Sequence, residues 1–363
     1  MEPGLDKEKI DTPALLVNLD KMEFNIREMA DNIRNSRVGL RPHIKTHKVP
    51  EIARMQLDAG AIGITCAKVG EAEAMINTGV QDILVGHQIV GLQKIQRLIS
   101  LARRIRITSL VDSLDNAKPL AEAAKEEGME FNVLIEVDTG IRRSGVLPGE
   151  QTVSLAKDLA GLDGLNFRGL MTLEGQAYEG TNHSDRERIV KDTVGRVVDT
   201  ADMIQNSGMG VEVVSVGTTP SAKLSAKIPG VTEVRPGNYV FNDMMQVERD
   251  TNIDYCALTV LATVVSIPTN ERAVVDAGSK SFGNENPVNH KVKGLNDAKF
   301  TRCWEEHGIL DFSQPNSSLK VGDKIEIIPY HACPCVNMHE NMIGLRNDQI
   351  EAVWPITGRG RIQ

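Results

Sequence analysis

Eight short runs rich in β-branched and aliphatic residues, seven of them followed by stretches with helical periodicity, fill the chain between Thr12 and Pro236. They lie at residues 14–19, 38–44, 61–67, 82–87, 106–112, 131–138, 167–173 and 211–217. Alternating strand and helix leaves few solutions, because parallel neighbours need a crossover and each helix must bury its apolar stripe on the sheet. Eight such units are the count of a (β/α)8 barrel, and an open doubly wound sheet is the competing architecture. In a barrel the C-terminal ends of all the strands meet at one mouth, so polar residues should gather there.

Those ends carry His43 and Lys45, Cys66 and Lys68, His87 and Gln88, Asp112, then Asp138, Arg142 and Arg143. Glu174, Gln176 and Tyr178 follow the seventh run, and Gly217, Thr218, Thr219 and Ser221 follow the eighth. So many charged and amide groups around one mouth read as a binding site rather than as solvated loops. The densest stretch is LRPHIKTHKVP at 40–50, a strand running into a proline-punctuated loop. A lysine among other cations has its ammonium form disfavoured and becomes an amine nucleophile for a carbonyl. Lys45, with Arg41, His43, His47 and Lys48 nearby in sequence, is that candidate, and the plainer reading is a basic rim that binds an anion. The turns VGTTPS (216–221) and RPGNY (235–239) come where barrels commonly hold phosphate, and they form the candidate cradle.

Beyond residue 245 helical periodicity nearly vanishes, and Thr/Val-rich runs at 255–267, 271–278, 324–334 and 350–362 describe an all-β domain. The expected division is a barrel at 12–245 and a β domain at 246–363, to which 1–11 contributes a strand. A composition 41% hydrophobic and 25% charged supports packed cores. Net charge −8, with no basic cluster outside 40–50, argues against nucleic acid as a partner. No run of 18 apolar residues exists, so no membrane span is expected. The opening MEPGLDKEKIDTP lacks the basic and apolar regions of an export signal, and five cysteines, an odd number, read as reduced thiols of a cytoplasmic protein.

His331-Ala-Cys333 ends a strand-like run. On an extended chain residues two apart share a face, so an imidazole and a thiolate can meet one ion. Two protein ligands leave positions for water and substrate, the pattern of a catalytic metal, and the thiolate favours zinc. Cys335 and His307 are the candidate further ligands; a chance pair and an exposed loop histidine are the plainer alternatives.

RPHIKTHK, EVDTGIRRSG, VSVGTTPS, VRPGNYVFND, VVDAGSKSFG and HACPCVN, in this order and across essentially the whole chain, resemble one group of pyridoxal phosphate enzymes. This is the D-threonine aldolase and D-serine dehydratase group, built on the alanine racemase fold. The resemblance implies a barrel holding the cofactor, a C-terminal β domain holding a divalent metal (zinc ahead of manganese or magnesium), and a homodimer acting on a small D-amino acid. It implies that Lys45 carries the cofactor and that Arg143 approaches the phenolic oxygen. Gly217, Thr218, Gly237 and Asn238, with Tyr239 beside them, would hold the phosphate. Arg235 or Tyr178 would face the pyridine nitrogen, and His331 and Cys333 would bind the metal. His183 lies near the place where some aldolases carry a histidine and is the candidate base beside Lys45. The expected activity is retro-aldol cleavage of D-threonine-type substrates to glycine and an aldehyde. Because His-x-Cys is the dehydratase form of the metal pair, D-serine dehydration is the alternative, racemisation the third, and a non-catalytic cofactor-binding regulator the different class.

Overall fold

The computed structural model describes residues 4–286, 288–316 and 318–363. The chain divides into two compact units: Glu28–Lys45, Pro50–Gly237 and Arg361–Gln363 form one, and the residues up to Arg27, Thr46–Val49 and Asn238–Gly360 form the other. Among the described residues no helix is long and apolar enough to cross a membrane.

After β1 (Ala14–Asn18) and α1 (Leu19–Arg34), strands and helices alternate. They run β2 (Gly39–Leu40), α2 (Pro50–Asp58), β3 (Ile64–Cys66), α3 (Val69–Met75), β4 (Asp82–Gln88), α4 (Leu92–Ala102), β5 (Arg106–Val111) and α5 (Leu114–Glu126). The series continues with β6 (Phe131–Glu136), α6 (Glu150–Ala160), β7 (Leu165–Met171), α7 (His183–Asn206), β8 (Val213–Val216), α8 (Ala222–Ser225) and β9 (Glu233–Val234). Strands β2 to β9 form one parallel sheet in the order β2-β9-β8-β7-β6-β5-β4-β3. Its two ends join through Ile62 N–H to Leu40 O at 2.9 Å and Thr65 N–H to Pro42 O at 2.7 Å, which closes the barrel. Leu84, Leu110, Leu134 and Met171, from successive strands β4 to β7, pack as one buried cluster. Gly169 holds φ +148° on β7, where a Cβ would lie 2.0 Å from Val213 O, so only glycine lets β7 and β8 pair there.

The barrel confirms the expected architecture, but one of its eight strands is not the one expected. The run at 14–19 leaves the barrel count, because β1 pairs antiparallel with β10 (Leu258–Thr269) and parallel with β16 (Asn341–Arg346). The missing place is taken by β9, two residues long and too short to show a period. A strand followed by an amphipathic helix looks the same whichever sheet it joins, so local pattern cannot make this assignment. The unit boundaries accordingly fall near residues 27 and 238 rather than 12 and 245.

In the second unit, β11 (Arg272–Val275), β12 (Lys291–Val292), β13 (Ala298–Cys303), β14 (Gly308–Phe312), β15 (Lys324–Ile328) and β17 (Gln349–Pro355) complete a sheet around β10 and β1. Its path runs β13-β14-β11-β10-β1-β16-β17, with β15 pairing β10 and β12. Ile10, Leu16, Leu261, Ile343, Leu345 and Ile350 form a buried cluster against it. Three short helices, α9 (Met244–Val247), α10 (Ser279–Phe282) and α11 (Ala332–Met338), belong to the same unit.

Candidate active site

A cavity of about 360 Å³ opens at the C-terminal ends of the barrel strands. Lys45 reaches it from a 3-10 turn, Ile44–Thr46, that directly follows β2. His43 secures that turn twice: its N–H donates to Pro236 O at 2.9 Å, and its Nδ1 accepts from Lys45 N–H at 3.4 Å. Lys45 is exposed, and no ion pair holds its ammonium among the described residues.

Beside it, β4 carries a register shift between Val85 and Gln88. Consecutive residues of a regular strand point to opposite faces, but here both His87 and Gln88 line the cavity. Gln88 Nε2 donates to Asp112 Oδ2 at 3.1 Å and to the Glu136 carboxylate. Glu136, buried at the end of β6, also accepts from Arg143 Nη2 at 3.0 Å and Ser144 Oγ at 2.9 Å. Arg235, fully enclosed, donates from Nη1 to Ser215 Oγ at 2.7 Å and from Nη2 to Thr172 O at 2.6 Å. Burial pulls its pKa down to about 10, which still leaves it cationic at neutral pH. Four cations (Lys45, Lys68, Arg143, Arg235) thus line the cavity against one carboxylate, Glu136. In a chain of net charge −8 this is a local field for an anion. His87 stands exposed at the mouth, and partial desolvation of its ring together with Lys68 and Arg143 holds it below the ordinary histidine pKa, which favours the neutral imidazole.

These features fit pyridoxal phosphate. The primary amine of Lys45 suits its aldehyde, and the cations suit its phosphate. Gly217, on the same wall, holds φ +102°, and a Cβ there would meet Arg235 N and Val234 Cβ at 3.1 Å. Gly217 contributes only backbone to this wall, and its N–H is already given to Glu174 at 2.8 Å, so the turn shapes the wall while the cations carry the charge.

In the other unit His331 precedes α11 with extended backbone, and Cys333 lies in the first helical turn. The pair therefore does not sit on one face of a strand as expected, because the helix begins at Ala332, yet the two side chains are hydrogen-bonded. Burial pulls the His331 pKa down, but the Cys333 sulfur, Asp243 and Glu285 outweigh it and hold the imidazole protonated, up to about 10. His331 Nδ1 meets Glu285 Oε2 at 2.7 Å, the outer contact that orients a ligating imidazole, and Cys333 Sγ lies 3.3 Å from Thr46 Oγ1. An imidazole nitrogen and a sulfur this close together, with Glu285 on the other ring nitrogen, form a donor pair that fits a divalent metal. Among the described residues no third His, Cys, Asp or Glu completes a ligand set, which leaves coordination positions open.

Several expected residues are placed elsewhere. Arg41 is spent inside the barrel on Glu233 and Asp82, and Lys48 Nζ donates to Asn337 Oδ1 at 2.8 Å, so Lys68 and Arg143, not these two, supply the cationic lining beside Lys45. Cys335 is buried and donates to Ser281 O, and His307 is exposed in the β13–β14 turn. His183 is the exposed first residue of α7, and Tyr178 ends a 3-10 turn; neither lines the cavity. Thr218 bonds Ser221 Oγ through its N–H (2.8 Å) and hydroxyl (2.9 Å). In the second unit Asn238 and Tyr239 are buried, and Asn238 Nδ2 donates to Asp243 Oδ2 at 2.5 Å; Gly237, half-buried, closes the first unit. Sequence reading missed Glu136, although a lone carboxylate inside the apolar run FNVLIEV was its signal.

Comparison with known proteins gives the same picture over the whole chain. Residues 17–244 match the family described as alanine racemase, N-terminal domain, and residues 257–345 match the putative serine dehydratase domain. A 3-hydroxy-D-aspartate aldolase from Paracoccus denitrificans is 32% identical, with 99% of this chain and 95% of the relative covered. A D-threonine aldolase from Arthrobacter sp is 33% identical over the same shares. The crystal structure of D-threonine aldolase from Filomicrobium marinum superposes with TM-score 0.96 at 32% identity, covering 100% of both chains. The chain belongs to the D-threonine aldolase and D-serine dehydratase family of pyridoxal phosphate-dependent lyases with the alanine racemase fold.

Proposed function

We propose that this protein cleaves β-hydroxy-D-amino acids of the D-threonine and 3-hydroxy-D-aspartate type into glycine and an aldehyde, using pyridoxal phosphate on Lys45 and a divalent metal on His331 and Cys333. When bound, the cofactor supplies an electron sink for the carbon left by bond cleavage. The metal, with zinc favoured by the sulfur donor, supplies Lewis acidity toward a substrate oxygen. The rest falls to side chains of this chain. Lys68, Arg143 and Arg235 supply positive charge for anionic groups at the mouth, and Gln88 and Ser144 keep Glu136 engaged so that it does not repel them.

Retro-aldol cleavage needs a group to take the proton of the β-hydroxyl, whereas dehydration needs a base for the α-proton. The observation that carries the aldolase reading is a second proton acceptor at the mouth: His87, neutral at pH 7, lines the same cavity as Lys45. Dehydration is the second reading, favoured by the His-x-Cys pair and by the match of residues 257–345 to the serine dehydratase domain. Incubating holoenzyme with D-threonine and counting products separates them. One glycine and one acetaldehyde per substrate consumed is expected, with a kcat/KM that falls with acid below pH 6.5 and loses that limb in His87→Gln. Formation of 2-oxobutanoate and ammonia would replace the aldolase reading with the dehydratase.

A further inference from the structure

Glu174 is a buried carboxylate that the chemistry above does not use. It follows Leu173, which lines the cavity, just beyond β7. One of its oxygens accepts from Gly217 N–H at 2.8 Å and the other from Ser225 Oγ at 2.7 Å, while the Ser221 hydroxyl also bonds it. A single side chain thus ties the start, middle and end of segment 217–225 to the end of β7. Ser221 passes the restraint on, since its Oγ accepts from Thr218 N–H at 2.8 Å. Gly217 needs such a restraint: glycine at φ +102° has no Cβ to limit its wandering, and it is the residue whose backbone forms the cavity wall. Burial pushes the Glu174 carboxyl above the ordinary carboxylate range, and its oxygens face donors with Arg235 nearby, so the clamp presents no free negative charge to an anion.

We propose that Glu174 is a positioning residue for the phosphate of the cofactor: by accepting from Gly217 N–H and from the two serines it holds segment 217–225 in the one shape that lines the cavity. The inference rests on the reading of the cavity as a pyridoxal phosphate site. It predicts an effect specific to the phosphate, which a general loss of packing would not give.

The test is titration of apoenzyme with pyridoxal phosphate and, separately, with pyridoxal, which lacks the phosphate, followed by absorbance and fluorescence. Glu174→Ala is expected to cut the preference for pyridoxal phosphate by about tenfold or more while leaving pyridoxal within about twofold, since the turn loses an acceptor of its hydrogen bonds. Glu174→Gln keeps the shape and an acceptor for Gly217 N–H, and the serine hydroxyls can reverse; it should stay within about threefold of wild type. If Glu174→Ala fails to fold, Ser225→Ala removes one strut alone and should lower the same preference by about threefold or more. An unchanged preference, or equal losses for both ligands, would overturn the role of Glu174. Failure of the wild-type protein to bind pyridoxal phosphate would instead bring down the cofactor reading, and this inference with it.

Discussion

Arg41 follows β2 and sends its guanidinium to the start of two other barrel strands, pairing through Nη1 with Asp82 at 2.8 Å and through Nε with Glu233 at 2.9 Å. The side chains of Arg41, Asp82 and Glu233 are 8%, 13% and 5% exposed, so water screens little of this triad. Replacing Arg41 by methionine keeps much of the volume and removes the charge. Asp82 would still face Arg106 at 3.3 Å, whereas Glu233 would lose its direct ion pair and keep the Ser215 hydroxyl, at 2.6 Å, and the nearby charge of Arg235. The loss should therefore concentrate at Glu233 and amount to about 3 kcal/mol, the low end for a buried charge stripped of its partner. Neutralising that carboxylate as well, in Arg41→Met with Glu233→Gln, should recover about 2 kcal/mol, because the stranded charge is the main penalty. Both tryptophans, Trp304 and Trp354, lie in the other unit, so their fluorescence reports the wrong part of the molecule. Urea unfolding should instead be followed by hydrogen exchange of peptides from β4 and β9. A loss under about 1 kcal/mol in the single variant, or no recovery in the double, would refute the reasoning.

Replacing His331 or Cys333 by alanine should reduce turnover about a hundredfold or more while leaving the visible cofactor band in place, because the metal and the cofactor have separate donors; unchanged turnover would sink the metal assignment. Stability should also respond to acid through His290, buried against Phe282 and Phe300 with ring centroids at 4.3 and 4.9 Å and with Nδ1 accepting from Tyr330 N–H. Burial pushes its pKa down to about 4, below the ordinary 6.5, so the folded state favours the neutral ring. Its contribution is fully present above pH 6.5 and is lost as pH falls toward 4, about 3 kcal/mol in all. Melting curves from pH 7 to 4 should show this slope in wild type and a flatter one in His290→Gln; equal slopes would contradict it.

The barrel and the mouth were legible because strand-helix alternation is a strong local signal and because the fold brings strand ends together whatever their sequence separation. His43, Lys45, Lys68, His87, Gln88, Arg143, Gly217 and Arg235 do share one cavity. What sequence could not show depends on contacts between distant segments. The two-residue β9 exists only because β8 and β2 offer backbone partners on either side. The run at 14–19 joins the other sheet rather than the barrel, because its apolar pattern suits either. Arg41 and Lys48 looked like neighbours of Lys45 by sequence, but carboxylates and an amide from far along the chain claim them. The helix that begins at Ala332 likewise replaced the expected strand, since HACPCVN carries no clear period and Pro334 fits a first helical turn as well as a strand end.

The central claim is that Lys45, at the end of β2, carries the cofactor, although Lys68 lines the same cavity. Borohydride reduction of the holoenzyme fixes pyridoxal phosphate on whichever amine holds it, and peptide mass spectrometry then locates it. One label is expected, on the peptide containing Lys45, with loss of both label and visible band in Lys45→Ala. A label on Lys68, or a band that survives in Lys45→Ala, would contradict it.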